Sequence, residues 1–202
     1  MDRRPFTVER IARALEALPR RSSDYDFDPD ARPEAVAPLR PASVLAPLVE
    51  RSGALHVVLT RRAARLAHHP GQVAFPGGKQ DGRDADACAA ALREAEEEIG
   101  LPRGRVRVLG AFDPHETVTG FLVTPFVGLV EGPFEPRPDR AEVEEAFEVP
   151  LGFLLDPANL QTHRRRWNGR WRSYHAIPYG PHYIWGATAR ILKTLADRMG
   201  PP

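Results

Sequence analysis

A single cysteine, Cys88, is all that the chain offers for covalent cross-linking, so no intramolecular disulfide holds these 202 residues together. Such usage suits a reducing compartment. No apolar stretch approaches the roughly 20 residues that a membrane-spanning helix needs, and the first residues lack an apolar signal segment. The expectation is a cytoplasmic protein with no membrane partner. An excess of charge of either sign is missing too: 28 basic residues face 27 acidic ones, a net charge of +1, which argues against nucleic acid as a partner. There is no internal repeat and no low-complexity domain. What is present, 42% hydrophobic residues, suffices for one core and an enzyme-sized domain.

Along the chain, Thr7 is placed to cap a short helix with Val8, Ile11, Ala12, Leu15 and Leu18 at helical spacing. Residues 22–41, rich in Asp, Pro and Arg, read as a loop or connector with little function. Val44–Val49 and Leu55–Thr60, split by Glu50-Arg51-Ser52-Gly53, read as a hairpin, and Val106–Phe112 and Phe121–Val130 as central strands. Glu142–Val149 suits a strand leading through Pro150 into a short helix at Leu151–Leu155. Thr162–Trp167 and Trp171–Ile177 flank Asn168-Gly169, a strong hairpin signal. Ile184–Met199 reads as a closing helix. This order of elements predicts a mixed sheet between helices.

The chemistry concentrates in Arg93-Glu94-Ala95-Glu96-Glu97-Glu98-Ile99-Gly100-Leu101, downstream of the turn Phe75-Pro76-Gly77-Gly78. At about 100° per residue, Glu94, Glu97 and Glu98 fall on one helix face, while Glu96 points away. Cys88, Leu92, Ala95 and Ile99 form a separate apolar stripe, and Gly100 ends the helix. Three carboxylates at this spacing repel one another and sit where the helix dipole disfavours negative charge. Two readings stand: a solvated acidic face, or an oxygen-rich site for Mg²⁺ or Mn²⁺. His68, His69 and His115 lack ligand-like spacing and read as loop histidines. His163-Arg164-Arg165-Arg166 beside Trp167 reads as a strand edge or a phosphate contact.

This run resembles the second half of the Nudix hydrolase signature, G-x5-E-x7-R-E-U-x-E-E-x-G-U with U aliphatic, Ala95 standing as its small apolar residue. Counting back puts the signature's glycine on Lys79 and its first glutamate on Ala85. One inserted residue restores Gly78 and leaves Asp84 or Asp86 as stand-ins for that glutamate. Upstream, Val58-Leu59-Thr60-Arg61-Arg62-Ala63, Gly71 and Phe75-Pro76-Gly77-Gly78 are similar to the element L-L-T-x-R-[SA]-x3-R-x3-G-x3-F-P-G-G of the coenzyme A pyrophosphatase branch, with Ala67 at the position of its second arginine. Segments 120–125, 142–145 and 184–190 resemble that branch as well.

The resemblance implies a Nudix-like α/β/α sandwich around a central mixed β-sheet, with residues 1–40 as N-terminal helix and connector and 41–198 as the hydrolase domain. It implies Arg93, Glu94, Glu97 and Glu98 as catalytic residues, and Glu94, Glu97, Glu98 and the Gly78 carbonyl as ligands of Mg²⁺ or Mn²⁺. Arg61, Arg62, Gly71, Phe75 and Gly77 become substrate contacts, and Glu94, Glu116, Glu142, Glu144 and Glu145 the candidate general bases. The implied partner is a small coenzyme A-like dinucleotide, cleaved to 3′-phosphoadenosine 5′-phosphate and 4′-phosphopantetheine or its acyl form, with a homodimer left open. The alternatives are hydrolysis of ADP-ribose, NADH or nucleoside triphosphates, and a silent nucleotide-binding regulatory domain.

Overall fold

The computed structural model describes residues 6–33, 37–167 and 169–200. Thr7 accepts a hydrogen bond from the Arg10 amide and starts α1 (Val8–Leu15) as its sequence predicts. The connector is more than a loop: it holds β1 (Ser22–Ser23) and a 3₁₀ turn at Pro29–Ala31. Next come β2 (Arg40–Arg51) and β3 (Ala54–Arg62), joined by Ser52-Gly53. Both turn residues have positive φ, 50° and 80°, which matches the twist that a two-residue hairpin requires.

β4 (Val73–Ala74) and β5 (Gly77–Lys79) precede α2 (Ala87–Ile99), which is followed by β6 (Val106–Ala111), β7 (His115–Glu116), β8 (Phe121–Val130), β9 (Val143–Pro150) and α3 (Leu151–Leu154). The chain closes with β10 (Gln161–Trp167), β11 (Arg170–Tyr179), β12 (His182–Trp185) and α4 (Ala187–Met199). The predicted closing helix is thus shorter than expected at its start. Residues 182–185 pair with β11, and Gly186, at φ 65°, turns the chain before α4 begins. Strands β10 and β11 pair up to Trp167 opposite Arg170; Asn168 of the expected hairpin turn lies outside the described residues.

The main sheet runs β1-β7-β8-β2-β3-β4, with β5, β6 and β9 added on β2, β8 and β3. The β2–β8 and β1–β7 pairs are parallel and the others antiparallel, so the sheet is mixed. Alternation along β2 and β3 sends side chains to two cores. Ala46, Leu48, Val57 and Leu59 pack with α1, α3, α4 and the second sheet through Ile11, Leu151, Leu192, Ile177 and Ile184. Leu45, Val49 and Val58 pack on the other face with Ala91, Ala95 and Ile99 of α2. Helices therefore cover both faces of a mixed sheet, the expected α/β/α sandwich, and α2 has one face to itself. Among the described residues no helix is long and apolar enough to cross a membrane.

Candidate active site

The placement of α2 decides the site. Asp86 caps its N-terminus by accepting from the Ala89 amide at 2.7 Å, and Gly100, left-handed at φ 67°, returns its N–H to the carbonyls of Ala95 and Glu96. With Ala95 and Ile99 anchored in the core, the three carboxylates are exposed in the order of their angular distance from the apolar stripe. Glu98 is 5% exposed, Glu94 17% and Glu97 58%. The shared face is real, but it grades from interior to solvent.

Arg93 ties this face together. Its guanidinium donates to Glu94 Oε1 and Glu97 Oε2, both at 2.8 Å, to Asp84 at 2.9 and 3.0 Å, and to the Lys79 carbonyl at 3.2 Å. The forked bond to Asp84 is the arrangement that a planar guanidinium and a carboxylate favour. It holds the Asp84 carboxyl at about 2, below its ordinary value, with the Asp81 amide assisting. Of the two stand-ins for the missing glutamate, Asp84 therefore engages Arg93 while Asp86 caps the helix.

Beneath α2, β5 pairs with β2 and brings its glycines against the carboxylates. The Gly77 amide donates to Glu98 Oε2 at 3.2 Å. At Gly78 an added Cβ would lie 2.6 Å from Glu94 Oε2, so a side chain there would displace the Glu94 carboxylate. Burial raises the Glu98 carboxyl to about 8, and the negative charges of Glu94 and Glu142 add to the shift against the Gly77 amide and Arg62. Glu94 is also raised, chiefly by burial, with Arg93 opposing.

Among the described residues no three metal-liganding side chains converge into a ready-made cage; Glu94 and Glu97 turn to Arg93 instead. The donor set nevertheless fits a divalent cation. Glu94 and Glu98 are half-buried to buried carboxyls whose charged forms burial disfavours and a cation would favour, beside a glycine backbone that approaches them closely.

The substrate residues expected from sequence divide. Arg62 lies on the α2 side, its guanidinium 3.8 Å from Glu98, and its Nε is buried without a hydrogen-bond partner. Arg61, one residue earlier, falls on the opposite face and spans Glu144 and Glu145 at 3.1 Å each, a pairing that a bulge in the β3–β9 register allows. Gly71, at φ 69°, closes the loop by donating to the Arg62 carbonyl at 3.1 Å. Phe75 is 3% exposed in the larger core, so its side chain packs the fold rather than meeting a ligand.

The candidate bases divide as well. Glu116 is buried and bonded to Arg21 and Arg32, and Glu144 and Glu145 face Arg61. Glu142 is exposed and near enough to raise both Glu94 and Glu98. His115 is no loop histidine: it lies in β7, fully buried, bonded to Ser22 Oγ at 2.9 Å and Asp24 Oδ1 at 3.0 Å. The sequence reading assigned Asp84 no definite role, although the one-residue insertion before it was the available signal.

The chain is also similar to known proteins. A family model described as the NUDIX domain matches residues 39–176. An uncharacterized Nudix hydrolase, NudL, of Cronobacter sakazakii (strain ATCC BAA-894) is 38% identical over 204 residues, covering 99% of this chain and 98% of its own length. NudL of Escherichia coli (strain K12), likewise described as an uncharacterized Nudix hydrolase, is 42% identical over 165 residues, 80% of this chain and 83% of its own. A solved NUDIX hydrolase from Alicyclobacillus acidocaldarius is 21% identical with a TM-score of 0.49, covering 81% of this chain and 93% of that one. A domain match over more than half of the chain, joined to identity sustained along nearly its whole length, leads to one conclusion: the chain belongs to the Nudix family, and it is a pyrophosphohydrolase of that family.

Proposed function

We propose that the chain hydrolyses the pyrophosphate bond of coenzyme A or its thioesters, releasing 3′-phosphoadenosine 5′-phosphate and 4′-phosphopantetheine or its acyl form. The observation that carries the reading is Arg62. It is the arginine that matches the coenzyme A element, it lies 3.8 Å from Glu98, and its buried Nε lacks a partner that a phosphate oxygen would supply.

In this reading Glu94, Glu97, Glu98 and the Gly78 carbonyl hold Mg²⁺ or Mn²⁺. The cation supplies neutralisation of the phosphate oxygens and of the charge that develops as the bond breaks. Arg93, anchored by Asp84, keeps Glu94 and Glu97 on one side of the helix. Arg62 holds the substrate's phosphate beside Glu98. Glu142 or Glu94 accepts the proton of the attacking water. Ala67, in place of the element's second arginine, favours a second reading in which ADP-ribose, NADH or a nucleoside triphosphate is preferred.

Product analysis with Mg²⁺ or Mn²⁺ on coenzyme A, acetyl coenzyme A, ADP-ribose, NADH and nucleoside triphosphates separates the two. The expected result is the highest kcat/KM on a coenzyme A species. Rapid hydrolysis of another dinucleotide with none of coenzyme A overturns the assignment.

A further inference from the structure

Residues 157–196 contain seven arginines and lysines and not one carboxylate. The chain as a whole has 28 basic and 27 acidic residues, so outside this segment 21 face 27 and the remainder carries a net charge of −6. The near-neutral total hides a basic region. Its densest part is the run 164–172, with five arginines in nine residues, which forms the far end of the β10–β11 hairpin.

The hairpin is rooted in the fold and then leaves it. Ile177, His175, Ser173 and Trp171 share one face of β11 by alternation. Ile177 is 1% exposed in the larger core and His175 9%, but Trp171 is 60% exposed. A face that starts as core ends in solvent. Cross-strand pairing sets Arg166 beside Trp171, and Arg164 stands over the indole ring at 5.8 Å. Arg164, Arg165 and Arg166 are all exposed. Among the described residues neither Arg164 nor Arg166 is held by a carboxylate; Arg166 donates to the Gly169 carbonyl at 3.4 Å. Other exposed arginines are paired with one, as Arg83 is with Asp81 and Arg103 with Glu96. Carboxylates do reach the root of this sheet and its surroundings, but there they have partners: Asp26 is paired with Arg190 of α4, Asp24 is bonded to His115, and Glu145 lies 3.7 Å from His182 of β12.

An indole at the end of a projecting hairpin, flanked by guanidinium groups, matches the boundary of an anionic lipid bilayer. Tryptophan settles there among the headgroups, and arginine forks their phosphates. The reach of the hairpin decides whether the acidic remainder opposes this. Trp171 stands four residues beyond His175, roughly 13 Å along the strand, whereas charge at physiological salt is screened over about 8 Å. A flat surface touched by the tip is therefore repelled only weakly by the body. A nucleic-acid strand is gripped instead by a track of cations and stacked rings across a surface. Here the run of arginines stops where the acidic remainder begins.

We infer that the tip of the β10–β11 hairpin docks the protein on an anionic membrane surface, with Trp171 in the headgroup layer and Arg164 and Arg166 on lipid phosphates. The inference stands apart from the chemistry of the α2 site. It is tested by sedimenting the full chain with vesicles of phosphatidylglycerol and phosphatidylcholine and, separately, of phosphatidylcholine alone. The expected result is binding to the anionic vesicles with a blue shift of tryptophan emission, both lost toward 1 M salt, where the screening length is about 3 Å. Arg164→Ser/Arg166→Ser is expected to lower the partition coefficient roughly twenty- to fortyfold, since each arginine near such a surface contributes about fivefold. Trp171→Ala is expected to lower it about tenfold or more, and Trp171→Phe, which keeps a ring, to stay within about threefold of the wild type. Circular dichroism and thermal melting check that each variant folds.

No binding to anionic vesicles, equal binding to neutral ones, or binding that these substitutions leave unchanged overturns the inference. An equal loss in Arg83→Ser/Arg103→Ser, which removes the same charge from elsewhere, overturns it as an effect of net charge alone. Binding of a single-stranded oligonucleotide that Arg164→Ser/Arg166→Ser abolishes, without binding to vesicles, overturns it in favour of a nucleic-acid surface.

Discussion

Among the described residues two groups of buried carboxylates are treated in opposite ways. Where α1 and the connector dock, Asp113 is 3% exposed and takes two bonds of 2.6 and 2.7 Å from Arg198, while Glu116, 2% exposed, is bonded by Arg21 and Arg32. Glu98 on α2 is as buried, at 5%. It has one backbone amide at 3.2 Å, an arginine at 3.8 Å and two like charges nearby. A carboxylate buried with its cation serves the fold. One buried among other carboxylates costs stability in the absence of a ligand that neutralises it.

The contrast breaks if Glu98 proves to be merely structural. Glu98→Gln replaces a carboxyl whose charged form burial opposes with a neutral group of the same shape, so the variant is expected to melt no lower than the wild type without metal. Its kcat/KM is expected to fall about 1000-fold, roughly 4 kcal/mol of transition-state stabilisation. Steady-state kinetics with Mg²⁺ or Mn²⁺ and thermal melts in a chelator test both halves. Near-wild-type turnover would end the assignment of Glu98 to the catalytic centre.

The docking group is expected to fail in the other direction. Among the described residues, Asp113→Ala leaves Arg198, 10% exposed, with the carbonyls of Ala14, Ala17 and Leu18. Breaking a buried pair on one side costs about 3 kcal/mol. For a chain of this length that corresponds to a melting temperature lower by roughly 6 to 12 °C, seen by calorimetry. The kcat/KM measured well below the transition is expected to stay within about threefold.

Asp84 sharpens the comparison because it is a fully paired carboxylate whose partner, Arg93, also bonds Glu94 and Glu97 of the candidate site. Asp84→Asn loosens Arg93 and is expected to lower kcat/KM by about ten- to a hundredfold, the range found when an outer partner of a metal ligand is lost. Arg93 holds the Asp84 carboxyl at about 2 in the folded protein. Its contribution is therefore complete above its ordinary value near 3.8 and disappears only as pH falls toward 2. The pH profile of Asp84→Asn between 5 and 9 should consequently keep the wild-type shape at lower amplitude. A new inflection in that window would contradict the pairing.

The acidic helix α2 and the hairpins were legible because their signals are local. The spacing of Glu94, Glu97 and Glu98 fixes a face, Gly100 fixes an end, and the break at Glu50-Arg51-Ser52-Gly53 marks a hairpin, although Glu50 and Arg51 pair in the strand and only Ser52-Gly53 turns. Which carboxylate is buried was not legible from that face alone, since Glu97 and Glu98 differ in exposure only because the apolar stripe of α2 is pressed on the sheet. The separation of Arg61 from Arg62 by alternation was missed because the sequence motif treats the two as neighbours, whereas a strand treats them as opposites. The docking group was invisible for a related reason. Glu116 and its arginines at 21 and 32 are far apart in sequence, and β1 is a two-residue strand that only its parallel pairing with β7 creates. The same pairing hides the histidine: nothing in the run Pro114-His115-Glu116 announces that Ser22 and Asp24 will close over it.

Glu116 supplies the smallest and most diagnostic effect. A buried glutamate downstream of α2 is a candidate general base on sequence grounds, and its position beside β8 does not by itself rule that out. Its partners argue otherwise: Arg21 and Arg32 both bond the carboxylate, and both are about half exposed, 47% and 45%. Solvent screens such pairs, so Glu116→Gln is expected to cost only about 1 kcal/mol, a drop of roughly 2 to 4 °C in melting temperature, with kcat unchanged. A glutamate that removes a proton from water cannot be replaced by glutamine at so small a price in rate. If kcat fell by two orders of magnitude at an intact melting temperature, Glu116 would belong with Glu98, and burial beside arginine would no longer distinguish the carboxylates of the fold from those of the site.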